Sequence, residues 1–243
     1  MMVAEAASGF HFSLFMSHRA MKKRIEPREG GLAVRRNLPA HERKQVLLDA
    51  ALNIFAQKGM GITVQELADR VMVTQPLVHR YFPAKTDLIA AIMDVLHNAH
   101  WDPQWKQMLT DRSQPLEERI VTFYRSYLPQ IHNERWYRGF LFASLENPEF
   151  ARSFIARMDE ELFSVLIAET RNNFGFPSTR ENPASEREIE LVWGMHSTSV
   201  YVGVRRHVYH LEVSADIDTT IHDQVRAYLM IAPVVMRELM PSA

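Results

Sequence analysis

Residues 62–85 read ITVQELADRVMVTQPLVHRYFPAK, and the spacing within this stretch describes two short helices joined by a tight turn. Thr63 is placed to cap the first helix, its side-chain oxygen accepting an otherwise orphaned backbone N–H. Glu66, three residues on, completes a capping-box pattern. Val64, Leu67, Ala68 and Val71 recur at helical spacing, so one face is apolar and Ala68 is small where two helices cross. Met72-Val73 interrupt the pattern. Thr74 reads as a second N-cap, and Pro76 falls in the first turn that follows, where a missing N–H costs little. Val78, Tyr81 and Phe82 continue an apolar stripe, Gln75, Pro76, His79 and Arg80 point away from it, and Pro83 ends the helix.

Two short helices at a turn of three or four residues form the helix-turn-helix unit, whose second helix enters the DNA major groove N-terminal end first. Spacing alone is equally compatible with a helical hairpin inside a core.

The run from Arg43 to about Leu96 resembles the DNA-binding domain of the TetR family of bacterial transcriptional regulators. The matching pieces are LLDAALNIFAQKG, the T-x-x-x-L-A middle, the V-T-x-x-x-V-x-x-Y-F second helix and the P-A-K-T-D-L exit into a long helix. Gln75-Pro76 also resembles the start of the recognition helix in the family's founding member. Met72 stands where the family turn usually carries Gly, which asks a side chain to accept a turn that favours positive φ. Val78-His79 stand where a Leu-Tyr pair is usual. The resemblance implies an all-α chain with an N-terminal three-helix DNA-binding domain and a C-terminal helical domain for ligand binding and dimerisation. It implies DNA contacts from Thr63, Thr74, Gln75, Pro76, His79, Arg80, Tyr81 and Lys85, with Lys85 matching a family lysine that binds backbone phosphate. Gln75 is the candidate base reader, because Gln pairs bidentately with adenine.

At 243 residues the chain has room for a DNA-binding domain and a larger second core. Its 47% hydrophobic content is that of a globular protein, and no apolar run is long enough to span a bilayer. The absence of cysteine excludes disulfides, thiolate metal sites and cysteine nucleophiles, and is compatible with a cytoplasmic protein. The net charge of −1 hides an asymmetry: residues 1–88 hold 13 Lys and Arg against 8 Asp and Glu, whereas residues 89–243 hold 15 against 21. A basic first third fits a nucleic-acid partner.

Residues 1–39 read as a flexible basic extension, with Lys22, Lys23, Arg24, Arg28, Arg35 and Arg36 around Gly30-Gly31. Two readings stand for it: an arm reaching DNA phosphate or the minor groove, and an over-extended start with Met16 or Met21 as the true first residue. The DNA-binding domain is expected over 40–101. Its first helix runs from Ala40 to Lys58, is closed by Gly59, and carries Arg43 and Lys44 as further phosphate candidates. A fourth helix is expected from a Thr86 cap to about Trp101, linking to the second domain at Asp102-Pro103.

Residues 102–243 read as helices from Pro115 to about Asn133, Glu134 to Glu146, Pro148 to about Asn173, Ser185 to about His210 and Asp218 to about Met240, with a loop over 172–185. The last two repeat apolar residues at steps of three and four: Ile189, Val192, Trp193, His196, Val200, Gly203 and Val204, then Ile221, Val225, Tyr228, Leu229, Ala232 and Val235. In the family the corresponding helices of two subunits form a four-helix bundle, which makes a homodimer the expected assembly and a near-palindromic operator the expected target.

Phe123, Tyr127, Trp136, Phe140, Met158, Trp193 and His196 are the candidate ligand contacts, with Tyr124, Phe163 and Met195 beside them. Aromatics with a few polar tips suit a small apolar or aromatic molecule. The same stripe is also what an ordinary core requires. His207, His210 and Glu212 raise a metal-dependent enzyme, but they fall at a helix end without an obvious third ligand. No Gly-rich phosphate loop or nucleophile motif is present. The expectation is therefore a non-enzymatic regulator without metal or cofactor, most simply a repressor released by a small-molecule effector. The alternatives are a DNA-binding protein without an effector and a helical protein that answers to a protein partner.

Overall fold

The computed structural model of the protein describes residues 39–98 and 101–240, so the basic extension expected over 1–39 lies outside the described residues apart from Pro39. Every regular element among the described residues is helical. The first four are α1 (Ala40–Lys58), α2 (Val64–Arg70), α3 (Gln75–Tyr81) and α4 (Lys85–Asn98). Then come α5 (Gln104–Thr110), α6 (Leu116–Ile131), α7 (Glu134–Glu146) and α8 (Pro148–Met158). The chain closes with α9 (Ser164–Phe174), α10 (Glu186–His207) and α11 (Ile217–Leu239).

The helix-turn-helix forms as its spacing requires. Thr63 Oγ1 accepts from the Glu66 N–H at 3.1 Å. The reciprocal half of the capping box is missing: the Glu66 carboxylate instead takes the Lys58 ammonium at 2.6 Å, which ties α2 to the end of α1. At the other end of α2 the Met72 N–H donates to Asp69 O at 3.2 Å and the Val73 N–H to Ala68 O at 2.9 Å. This pair of bonds is a Schellman closure, which needs a left-handed residue at its centre. Met72 supplies it with φ +54°, its side chain exposed. A non-glycine residue there costs about 1 kcal/mol. Thr74 occupies the N-cap position of α3 but makes no side-chain cap bond. Val78 and Phe82 are buried and fasten α3 to the core.

Thr86 does not cap α4. The helix begins one residue before it at Lys85, and Asp87 does the capping by accepting the Ala84 N–H at 2.9 Å. α5 was not expected; Trp105, Met108 and Leu109 give it a single turn of apolar periodicity, and Trp105 and Leu109 are buried. The helix expected from Pro148 to Asn173 is interrupted at Asp159–Phe163, where one π-turn separates α8 from α9. Such a turn shifts the buried face by one residue, a feature that periodicity does not announce.

α7 is the element against which the N-terminal helices pack. Phe142 meets Phe55 of α1 edge-on at 6.4 Å, Arg135 pairs with Asp49, and the Arg138 Nε donates to Ala56 O at 2.8 Å. Gly59, at φ +55°, has no room for a side chain, since a Cβ there would stand 2.8 Å from the Phe142 ring. Trp136 donates through Nε1 to Leu96 O at 3.0 Å, in the last turn of α4. On its other side α7 meets α10, where a Cβ on Gly203 would lie 2.5 Å from Tyr137.

The repeats of α10 and α11 are largely spent within the chain. Val192, His196 and Gly203 of α10 are buried, as are Ile221, Val225, Tyr228 and Ala232 of α11. The apolar side chains that face outward on α11 are instead Met230, Ile231 and Val234. They were not part of the expected stripe.

The start of α10 is pinned by a buried ion pair. Arg171 and Glu188, each about 1% exposed, form two bonds of 2.7 Å, and Arg171 also donates to the carbonyls of Pro177, Asn182 and Pro183. Burial pushes the Glu188 carboxyl up, but Arg171 and Ser185 together hold it below its ordinary value. The stabilisation is therefore present above the ordinary carboxylate range and is lost as the pH falls through the depressed value. Replacing Arg171→Ala strands a buried carboxylate, and urea unfolding near neutral pH is expected to show a loss of about 3–5 kcal/mol.

Candidate nucleic-acid interface and aromatic cavity

Thr74, Gln75, Pro76, His79 and Arg80 are exposed on α3, while Val78 beneath them is buried. The polar side of α3 therefore faces outward, as a groove-reading helix requires. Arg80 donates from Nη2 to the Tyr81 hydroxyl at 3.3 Å, with its guanidinium 5.3 Å from the ring centre. Arg43 of α1 reaches the same hydroxyl. The Arg80 hydrogen bond, helped by Arg43 and opposed by desolvation, holds the Tyr81 phenol below its ordinary range. The Lys44 ammonium lies 5.8 Å from the centre of the Phe82 ring. Two ends of α1 and α3 are thus joined in a cationic face around one phenol.

Other candidate residues are engaged within the domain. Lys85 donates to Met60 O at 2.6 Å, which positions its ammonium beside the α1–α2 turn. The His79 Nδ1 donates to Pro83 O at 3.1 Å. Gln75 donates to Gln65, whose own amide donates to Asp69 at 2.8 Å. Gln65 was not singled out from the sequence; an exposed amide on α2 next to the start of α3 carries no periodic signal.

The second feature is a cavity of about 240 Å³ between α6, α7, α8 and α10. Six of the seven residues expected to contact a ligand line it: Tyr127, Trp136, Phe140, Met158, Trp193 and His196. Phe123 does not; it lies behind the wall, stacked on Tyr127 at 5.5 Å, and is a packing residue. Ile131, Leu141, Val200 and Val204 complete much of the wall and were not expected, because aliphatic residues at helical spacing look the same in any core. Ser197 and Tyr201 also border the cavity and are exposed, so it opens to the surface along α10.

Behind the wall Phe163 meets Trp193 edge to face at 4.9 Å and His196 at 5.1 Å, and within the wall Trp136 and Phe140 stack at 4.9 Å. His196 is buried and its Nδ1 lies 3.4 Å from the Tyr124 hydroxyl. Burial pushes its imidazole down to about 3, and burial likewise raises the phenols of Tyr124 and Tyr127. All three are neutral near pH 7. The Tyr137 hydroxyl donates to Val200 O at 3.1 Å across the α7–α10 contact.

His207 and His210 do not assemble with Glu212. His207 Nε2 meets the His132 carbonyl at 3.0 Å, and among the described residues no group of three or more His, Asp or Glu is placed to hold a metal ion. No described helix is long and apolar enough to cross a membrane.

Residues 47–92 match the family described as "Bacterial regulatory proteins, tetR family". No curated protein is significantly similar to the chain in sequence. Solved structures share its fold. A tetR-family transcriptional regulator from Streptomyces coelicolor is 16% identical with a TM-score of 0.54, over 84% of this chain and 86% of that one. AmtR from Mycobacterium smegmatis is 20% identical with a TM-score of 0.53, over 87% and 100%. A putative TetR-family regulator from Mesorhizobium loti MAFF303099 is 14% identical with a TM-score of 0.52, over 80% and 98%.

Neutrality of the buried imidazoles is directly measurable. Burial, aided by His207 and Arg206, also pushes His132 down to about 4. In a nitrogen-15 NMR titration the His196 and His132 signals are expected to stay in the neutral form from pH 8 down to pH 5, a window in which an ordinary imidazole of pKa about 6.5 charges.

Proposed function

We propose that this TetR-type chain is a homodimeric DNA-binding regulator, most simply a repressor, whose hold on a near-palindromic operator is released when a small apolar or aromatic molecule enters the cavity. The observation that carries the reading is the double engagement of Trp136. Its ring forms part of the cavity wall, and its Nε1–H is bonded to the last turn of α4. A change in the cavity therefore reaches α4 and α1, and with them the attached α3, through the single element α7. This proposal divides the chain at residues 101–102 into a DNA-binding part and an effector-binding and dimerisation part.

On DNA, α3 enters the major groove. Arg80, Arg43, Lys44 and Lys85 face phosphates, and Gln75 exchanges its bond with Gln65 for a base edge. Thr63, Thr74, Pro76, His79 and Tyr81 fix the pose on the backbone. Most of the affinity is electrostatic and falls steeply with salt. Pairing of two chains through α10 and α11 is supported by the outward Met230, Ile231 and Val234. It is also supported by the open groove lined by Leu191, Gly194, Thr198, Ala227 and Ile231. A Cβ added at Gly194 would meet no described atom of another element within 4 Å, which leaves room for a partner helix to approach.

The switch is a population shift. An effector moves the equilibrium only through unequal affinity for the two poses, about 1.4 kcal/mol for each tenfold loss of DNA binding.

Binding-site selection separates the DNA roles: Gln75→Ala is expected to relax preference at one base pair per half-site. Lys85→Ala is expected to weaken all sequences alike and to flatten the salt dependence by about one phosphate contact. The opposite pattern removes the assignments. For the switch, Trp136→Phe keeps a ring in the wall and deletes the bond to Leu96. With an effector found by thermal-shift screening, anisotropy measurements on operator DNA are expected to show the effector's effect reduced about three- to tenfold. Effector affinity itself is expected to be little changed. An undiminished response contradicts the route through α7.

A further inference from the structure

We propose that the cavity takes an uncharged aromatic molecule bearing a hydrogen-bond acceptor, and that the imidazole of His196 donates to that acceptor. The inference rests on reading the cavity as the effector site and specifies what the site selects.

Charge is excluded by the walls. The fifteen described residues that line the cavity include no Lys, Arg, Asp or Glu. A carboxylate or ammonium entering it would give up water and find no counter-charge. Shape favours a flat molecule. The cavity holds the volume of about eight liquid waters, and its Trp136, Phe140 and Trp193 rings offer faces and edges to a further ring.

The acceptor follows from the tautomer of His196. The Tyr124 hydroxyl is buried, and its one hydrogen-bond partner among the described residues is His196 Nδ1. A buried hydroxyl proton left without an acceptor is costly, so Tyr124 donates to Nδ1. The ring proton is then on Nε2, and Nε2 has no partner among the described residues. A residue that lines the cavity therefore offers it one unspent donor, which a carbonyl, ether or hydroxyl oxygen satisfies.

Three naphthalenes of similar outline test the inference on the full chain by quenching of tryptophan fluorescence near neutral pH: 2-acetylnaphthalene, 2-ethylnaphthalene and 2-naphthoate. The anion is expected to bind at least about tenfold more weakly than the ketone. His196→Phe is expected to weaken the ketone about three- to tenfold and leave the hydrocarbon within about twofold. Naphthoate bound within tenfold of the ketone, or an equal loss of ketone and hydrocarbon in His196→Phe, overturns the ligand class while leaving an effector cavity in place. Failure of all three compounds to bind overturns the effector cavity as well. Should circular dichroism show His196→Phe unfolded, the comparison of ketone and anion on the unsubstituted chain decides.

Discussion

The structure depends on the packing of α7 against α1 and α4. That contact is dense because three things coincide. Gly59 and Gly139 let the helices close: Gly59 lies under the Phe142 ring, and a Cβ on Gly139 would stand 3.2 Å from Leu96. Arg135 and Arg138 cross the seam to Asp49 and to the Ala56 carbonyl. Trp136 caps the end of α4 through Leu96 O. Close-packed interiors transmit displacement because they have few voids to absorb it. A seam of this kind joins the cavity side of the molecule to the helix-turn-helix as nearly one solid.

The chemistry of the two ends contrasts sharply. At α3 the side chains are exposed, cationic or amide-bearing, and their hydrogen bonds are short-range bonds to neighbours that DNA can replace. At the cavity the polar groups are few and neutral, held so by burial at His196, Tyr124 and Tyr127. The first set of groups suits the proposed polyanionic partner in water, where salt competes. The other has the apolar, uncharged lining that the proposed effector, a molecule that leaves water, would require.

Much of this was legible in the sequence, and the failures have physical causes. The span of α1, the Thr63 cap, the strained Met72 and the span of α7 follow from local chemistry: caps, spacing and proline. The capping box at Glu66 failed because a nearer cation, Lys58, competes for the carboxylate. Thr86 failed as a cap because the helix already begins at Lys85, and Asp87, one residue further on, reaches back to the Ala84 N–H. The π-turn at Asp159–Phe163 shifts the apolar face by a single residue within a continuous helical run, a step too small for periodicity to mark as a boundary. At the cavity, aromatic residues were recognisable, yet spacing does not tell a wall residue from one behind the wall, and Phe123 fell on the wrong side of that line. The same ambiguity holds for the repeats of α10 and α11, where Val192, His196, Gly203, Ile221, Val225, Tyr228 and Ala232 are buried within the chain and the rest of the repeat is only partly covered.

The central claim is that occupation of the cavity repositions the two α3 helices of a dimer. The lack of native cysteine lets a spin label be placed at Arg80→Cys alone, and pulsed dipolar spectroscopy then reads the distance between the two labels. Without ligand, a population near the half-site spacing of about 34–36 Å is expected, moving by several ångströms when 2-acetylnaphthalene fills the cavity. An unchanged distribution with the cavity shown by fluorescence to be occupied, or no dipolar signal at all, would contradict it.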